Sequence, residues 1–146
     1  MRMGLRRGIR ILAGIVLLLT VLLYAFLLYL RLSGPVFSEG SVLSTPQDGD
    51  MRLLVLNVNL KNPGPIPVEW IGISSEPEPD ESVLWADDGS LVLNAFEEGT
   101  LKMAILSSKS NWDRKREVTV SGYRFGKKSE IRLVADGNGI RLKGEE

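Results

Sequence analysis

Two hydrophobic patterns divide the chain. From Ile11 to Leu30 nearly every residue is apolar, with Gly14 and Thr20 as mild exceptions; beyond Ser33, apolar and polar residues alternate in short runs. A helix rises about 1.5 Å per residue, so the twenty residues of the first pattern span ~30 Å, the thickness of a bilayer's hydrocarbon core. The buried helix of a soluble protein would keep a polar face, and this run has none. Tyr29 suits the membrane interface and Arg31 can snorkel to it. Ile11, Leu17, Leu22, Phe26 and Leu30 stand for the anchor. The run exceeds the h-region of a signal peptide, and Tyr29 to Pro35 offers no small-x-small cleavage site, which predicts an uncleaved anchor. Arg2, Arg6, Arg7 and Arg10 precede the helix and only Arg31 closely follows it. The positive-inside rule then puts a short leader in the cytoplasm and the carboxyl-terminal part outside the membrane.

The second pattern predicts strands. In Met51 to Leu60, Leu54, Leu56, Val58 and Leu60 share one face, with Asn57, Asn59 and Lys61 on the other. Asn62-Pro63-Gly64-Pro65 breaks the run, because proline cannot donate to a ladder. Ile66 to Ile73 follows, and then an acidic, proline-rich loop from Ser74 to Asp80. Ser82 to Ala86 and Leu91 to Phe96 flank Asp87-Asp88-Gly89-Ser90, a hairpin-turn composition. Further alternation marks Leu101 to Ile105, Val118 to Phe125 and Ile131 to Ala135, with a turn at Gly126-Lys127-Lys128. Asp136-Gly137-Asn138-Gly139 turns the chain into Ile140 to Lys143. Trp70 and Trp85 fall inside strands and are expected in the core.

About eight short strands spaced near ten residues, with no amphipathic helix of useful length, predict a mainly β fold. The expected architecture is an immunoglobulin-like or fibronectin-like antiparallel β-sandwich preceded by a single N-terminal transmembrane α-helix, a small barrel being the alternative. The organisation reads as a basic cytoplasmic leader over 1–10, a transmembrane signal-anchor helix over 11–31, a linker and first edge strand over 32–50, and an extracytoplasmic sandwich over 51–146.

Leu53 to Ile73, with Asn62-Pro63 at its turn and Pro67-Val68 at the following step, resembles the opening of the group 2 late embryogenesis abundant proteins, which share the water-stress and hypersensitive-response domain. Phe96 to Leu101 is similar to a later turn-and-strand portion of that family, although Gly64 replaces the family's usual second Asn. The resemblance implies a β-sandwich, no catalytic residues and a protective role under water stress.

Composition removes whole classes of chemistry. There is no Cys and no His, which excludes a disulfide scaffold, thiol catalysis, Ser-His-Asp triads and the usual zinc, haem and iron–sulfur sites. No cofactor and no metal is expected, and no enzyme. The formal net charge of zero hides a polarity. Residues 1–32 carry five Arg and no acid, 33–100 carry twelve acids against two bases, and 101–146 carry eleven bases against six acids. The part beyond the helix is acidic overall, so nucleic-acid binding has no support.

Among candidate sites, Glu76, Glu78, Asp80 and Glu81 match no cation-binding loop and read better as a solvated segment. Trp112 with Arg114, Lys115 and Arg116, extended by Arg124, Lys127, Lys128 and Arg132, forms the candidate partner-binding surface. An exposed aromatic beside bases suits a polyanion, a carbohydrate, an anionic headgroup or an acidic protein. The competing and favoured reading folds Trp112 back onto the core. The acidic first half could equally pair with the basic second half, within one molecule or between copies. These features describe a non-catalytic membrane-anchored module outside the cytoplasm, an envelope component or accessory subunit of a membrane complex, with membrane lipid and a protein as partners and the oligomeric state left open. Two alternatives stand beside it. One is the stress-protective protein of the resemblance; the other is a pilus or archaellum-type component, because Arg6-Arg7-Gly8 resembles the processing site of archaeal pilins.

Overall fold

A computed structural model describes residues 2–32 and 34–144. The chain divides into two compact units, Met1–Ser33 and Gly34–Glu146. The first is one helix, α1 (Arg2–Leu32). It begins earlier than the leader boundary at residue 10 implies: Arg, Met, Leu and Ile make up eight of the ten leader residues and accept helical geometry, and Gly4 and Gly8 do not break it. Ile11, Leu17, Leu22 and Phe26 are exposed along it; Leu30 belongs to the helix, but its side chain lies outside the described residues. The Thr20 hydroxyl donates to the carbonyl of Val16 at 2.8 Å, which satisfies the run's one hydroxyl donor before Tyr24. The stretch from Arg2 to Tyr29 is long and apolar enough to cross a membrane.

The second unit is mainly β. Its strands are β1 (Val36–Pro46), β2 (Met51–Lys61), β3 (Val68–Ser75), β4 (Ser82–Ala86), β5 (Leu91–Leu93), β6 (Glu98–Ser108), β7 (Arg116–Arg124), β8 (Lys127–Asp136) and β9 (Gly139–Leu142). They form two antiparallel sheets, ordered β1-β2-β6-β4 and β5-β3-β7-β8-β9. This is an immunoglobulin-like sandwich with an apolar helix ahead of it. The alternation in β2 sends Leu54, Leu56, Val58 and Leu60 inward, where they meet Ile71, Val118, Val120 and Leu133 of the other sheet. Burying each such side chain contributes about 1.5–3 kcal/mol, so the alternating positions are what hold the two layers together.

Three expectations fail here. Asp87–Ser90 does not close a hairpin. β4 pairs with β6 in one sheet and β5 with β3 in the other, so the segment crosses between layers. Asp87 fixes that crossing: its amide donates to Lys102 O at 3.0 Å, its carboxylate accepts from Lys102 N at 2.8 Å, and its carbonyl accepts from Ile73 N at 2.9 Å. Trp70 and Trp85 are not core residues, being 64% and 48% exposed. In both strands the register slips beside the tryptophan, and an inserted residue inverts the two-residue period and turns the ring outward. The turn assigned to Gly126-Lys127-Lys128 is Phe125-Gly126, with Arg124 facing Lys127 and both lysines already in β8.

The two ends of the sandwich differ. At one end Val36 pairs with Lys61, Asn62 N donates to Glu97 O at 2.9 Å, and Phe96 N donates to Gly64 O at 3.1 Å. The loops 62–67 and 94–97 and the 125–126 turn therefore meet where the chain enters the unit. At the other end lie the loops 47–50, 76–81 and 109–115 and the Asp136–Gly139 turn, joined by Lys109 N to Asp50 O and Gly137 N to Asp113 O.

Candidate functional site: an aromatic groove on the outer sheet face

The basic surface expected around Trp112 is largely consumed inside the molecule. Trp112 packs against the core, and the Arg52 guanidinium lies 5.0 Å from its ring centroid. Arg116 is buried and donates to Glu81 at 2.6 Å and to Trp112 O at 3.0 Å. Arg114 pairs with Asp80 at 2.8 Å and with Glu81. Opposite charges far apart in sequence have found each other across the loops, so these arginines do not face solvent as a partner surface. The environment of each acid records this. The hydrogen bond from Arg114, then those from Asn111 and Ser108, hold Asp80 well below the usual carboxylate range. Burial pushes Glu81 up, but the hydrogen bonds and charges of Arg116 and Arg114 outweigh it and the net direction is down.

Arg124 is buried at the opposite end. Its Nη2 donates to Asn62 Oδ1 at 2.8 Å and to Ile66 O at 3.0 Å. Asn62, fully buried, also accepts from Gly64 N at 3.2 Å, and its amide approaches the carbonyls of Ile66, Leu93 and Asn94 at 2.7, 3.2 and 3.1 Å. The Asn62-Pro63 motif is thus a structural knot. Of the eight residues named for the surface, Lys115, Lys127, Lys128 and Arg132 remain exposed; Lys128 pairs with Glu130 at 3.0 Å, which raises its pKa, and Arg132 with Glu117 at 4.0 Å.

The feature that stands out lies on the outer face of β3 and β7. A groove of about 930 Å³ runs there, lined by Trp70, Tyr123, Phe125, Pro67, Glu69 and Asp88 among others. Its floor is low because the outward positions of adjacent strands are Gly72 and Ser121, paired in register. A side chain at Gly72 would meet the backbone of Gly89 at 3.0 Å, so glycine is needed for the crossing segment to close one wall. Trp70 rests on Gly89 and forms that wall; Tyr123 and Phe125 rise on the other side.

Backbone conformation sets the aromatics apart. Among the described residues the non-glycines with positive φ are Trp70 at 56°, Phe96 at 57° and Phe125 at 49°. All three are exposed, at 64%, 59% and 74%. The left-handed region costs a residue with a Cβ roughly 1–2 kcal/mol, and large side chains rarely occupy it. Strain held at these exposed rings opposes folding rather than aiding it. The sequence reading missed all three, because bulges and non-standard turn residues leave no mark on hydrophobic periodicity. A usable signal was Phe125-Gly126 between two alternating runs, where an Asn-Gly turn would normally stand.

The fold and groove together define an immunoglobulin-like sandwich carrying a shallow, aromatic-walled trough of the size and composition of a ligand-binding cleft. No family model matches the chain, so the late embryogenesis abundant resemblance gains no support. No curated protein matches it either. Among solved structures it is similar to the GAE domain of yeast GGA1, with TM-score 0.47 and 12% identity over 70% of this chain and 97% of that one. It is also similar to the GAE domain of GGA2p from Saccharomyces cerevisiae, with TM-score 0.41 and 10% identity over 64% of this chain and 95% of that one. Likeness at these levels says nothing of what this chain binds.

Proposed function

We propose that the protein is a membrane-anchored, extracytoplasmic binding module that holds a segment of a protein partner in the groove between Trp70 and Tyr123. The groove carries this reading: strained, exposed aromatics wall a trough floored by Gly72 and Ser121, and aromatic anchors of this kind dominate protein recognition. The lining adds Glu69 and Asp88 and no base, which favours a segment with apolar residues beside a Lys or Arg. Support for the anchor comes from the exposed apolar helix and the arginines before it. The module's role is that of an envelope component or accessory subunit of a membrane complex.

The test uses the full chain in its native membrane, with a photo-crosslinking residue at Ser121 on the groove floor or, as control, at Thr45 on the other sheet. One discrete adduct from position 121, lost in Trp70→Ala and mapping by mass spectrometry to an apolar–basic segment, is the expected result. The same adducts from both positions, or none from 121, overturn the reading. Protease added to intact cells should remove residues beyond the helix; survival of that part until lysis would reverse the orientation.

A further inference from the structure

We infer that the end of the sandwich carrying Phe96 and Phe125 rests on the lipid surface, with both rings inserted at the interface. This rests on the membrane anchoring proposed above. The chain enters the sandwich at this end: Gly34 lies against Ser129, Pro35 is buried beside Gly122, and Val36 pairs with Lys61. In sequence, α1 ends at Leu32, two residues before Gly34. A tether that short keeps the entry end within a few residues' reach of the bilayer, since a residue spans at most ~3.6 Å.

What this end presents fits that neighbour. Phe125 sits at the tip of the β7–β8 turn and Phe96 at the tip of the 94–97 loop. Both are exposed and both hold positive φ. The two loops are tied together through Asn62, whose side chain contacts Asn94 O and Arg124, so the rings belong to one rigid end. A buried knot beneath two strained apolar tips presents the rings outward with little freedom to fold back. Charges at this end are mixed, Lys61 and Lys127 against Glu97 and Glu98, so apolar insertion rather than attraction to anionic lipid drives the contact. The opposite end, with the Asp80, Glu81, Arg114 and Arg116 network, has no such tips. With Phe125 at the interface, the groove opens beside the lipid, within reach of a partner's juxtamembrane segment.

The chain has no cysteine, so single cysteines report cleanly. The full chain is reconstituted in phosphatidylcholine vesicles, with an environment-sensitive fluorophore on Ala95→Cys, Lys127→Cys, Asp48→Cys or Leu22→Cys, and spin-labelled lipid as quencher. The expected result is strong quenching and blue-shifted emission at 95 and 127, none at 48, and quenching at 22. The signal at 95 and 127 should disappear in a Phe96→Ser, Phe125→Ser background while that at 22 persists, and should change little with salt. Labels at 95 and 127 as unquenched as that at 48 overturn the inference, as does quenching that survives loss of both phenylalanines. An unquenched label at 22 overturns instead the anchoring on which it rests.

Discussion

Removing the Asn62 side chain should be among the costliest single changes in the sandwich. In Asn62→Ala, Gly64 N and Arg124 Nη2 both lose an acceptor, and the carbonyls of Leu93 and Asn94 lose a shared donor. Arg124 keeps Ile66 O at 3.0 Å, so its charge is not fully stranded. An unsatisfied buried polar group costs about 1–3 kcal/mol, so the two donors and the shared carbonyls together predict a loss of roughly 3–5 kcal/mol. That is a large part of the ~5–15 kcal/mol that holds a typical domain folded. Asn62→Asp separates the two halves of the side chain's work. The carboxylate strengthens the contact with Arg124 but turns an oxygen toward three carbonyls that had a donor, so it too should destabilise, though less than alanine. Arg124→Met added to Asn62→Ala should recover part of the loss, because it removes the buried charge that alanine leaves under-partnered. The three tryptophans all lie in the sandwich, so their fluorescence during urea unfolding of the detergent-solubilised full chain reports on that unit alone. An unfolding free energy for Asn62→Ala within ~1 kcal/mol of the parent protein's would show that the buried knot contributes no more than an ordinary surface contact, and the reasoning would be wrong.

Arg116→Met should cost about 1–3 kcal/mol, because the buried Glu81 carboxylate loses one of its two arginines while keeping Arg114 and Ser107, and Arg116→Met with Glu81→Leu should cost less; equal losses in a urea titration would deny the pair its coupling. Asp80, Glu81 and Asp136 all have lowered pKa values in the folded chain, the last through hydrogen bonds from Arg141 and from the Asn138 amide. Folded-state values below the unfolded ones mean that their stabilisation is full above about pH 4.5 and is lost as pH falls through the folded values. Thermal unfolding followed from pH 6 to pH 3 should therefore show a falling midpoint, and a flat profile would contradict the network. Phe125→Asn should stabilise the sandwich by about 1 kcal/mol by relieving the left-handed strain, while weakening lipid quenching at position 127; destabilisation would mean that the ring serves packing. Mass spectrometry should find Arg2 to Arg10 retained in the mature chain, and a new terminus at Gly8 or Ile9 would indicate pilin-type processing.

What the sequence made legible is what short-range periodicity encodes. The unbroken apolar run could only be a fully apolar helix, and the alternation from Leu54 to Leu60 could only be a strand with one buried face. Asp136–Gly139 was readable because a tight hairpin needs those residues locally. Asp87–Ser90 is equally turn-like in composition yet crosses between sheets, since partner choice depends on β6 and β3, which are distant in the chain. The buried arginines were illegible for the same reason: Arg116 finds Glu81, and Arg124 finds Asn62, across separations of 35 and 62 residues. The groove was hidden more deeply. Trp70 sits on a bulge and Phe125 in a turn position that Asn or Gly would fill without strain. A large ring held in the left-handed region at an exposed site carries strain that a glycine or asparagine there would relieve. Three such rings, with Trp70 and Phe125 on one groove and Phe96 and Phe125 at one end, are the observation on which the proposed binding surface rests.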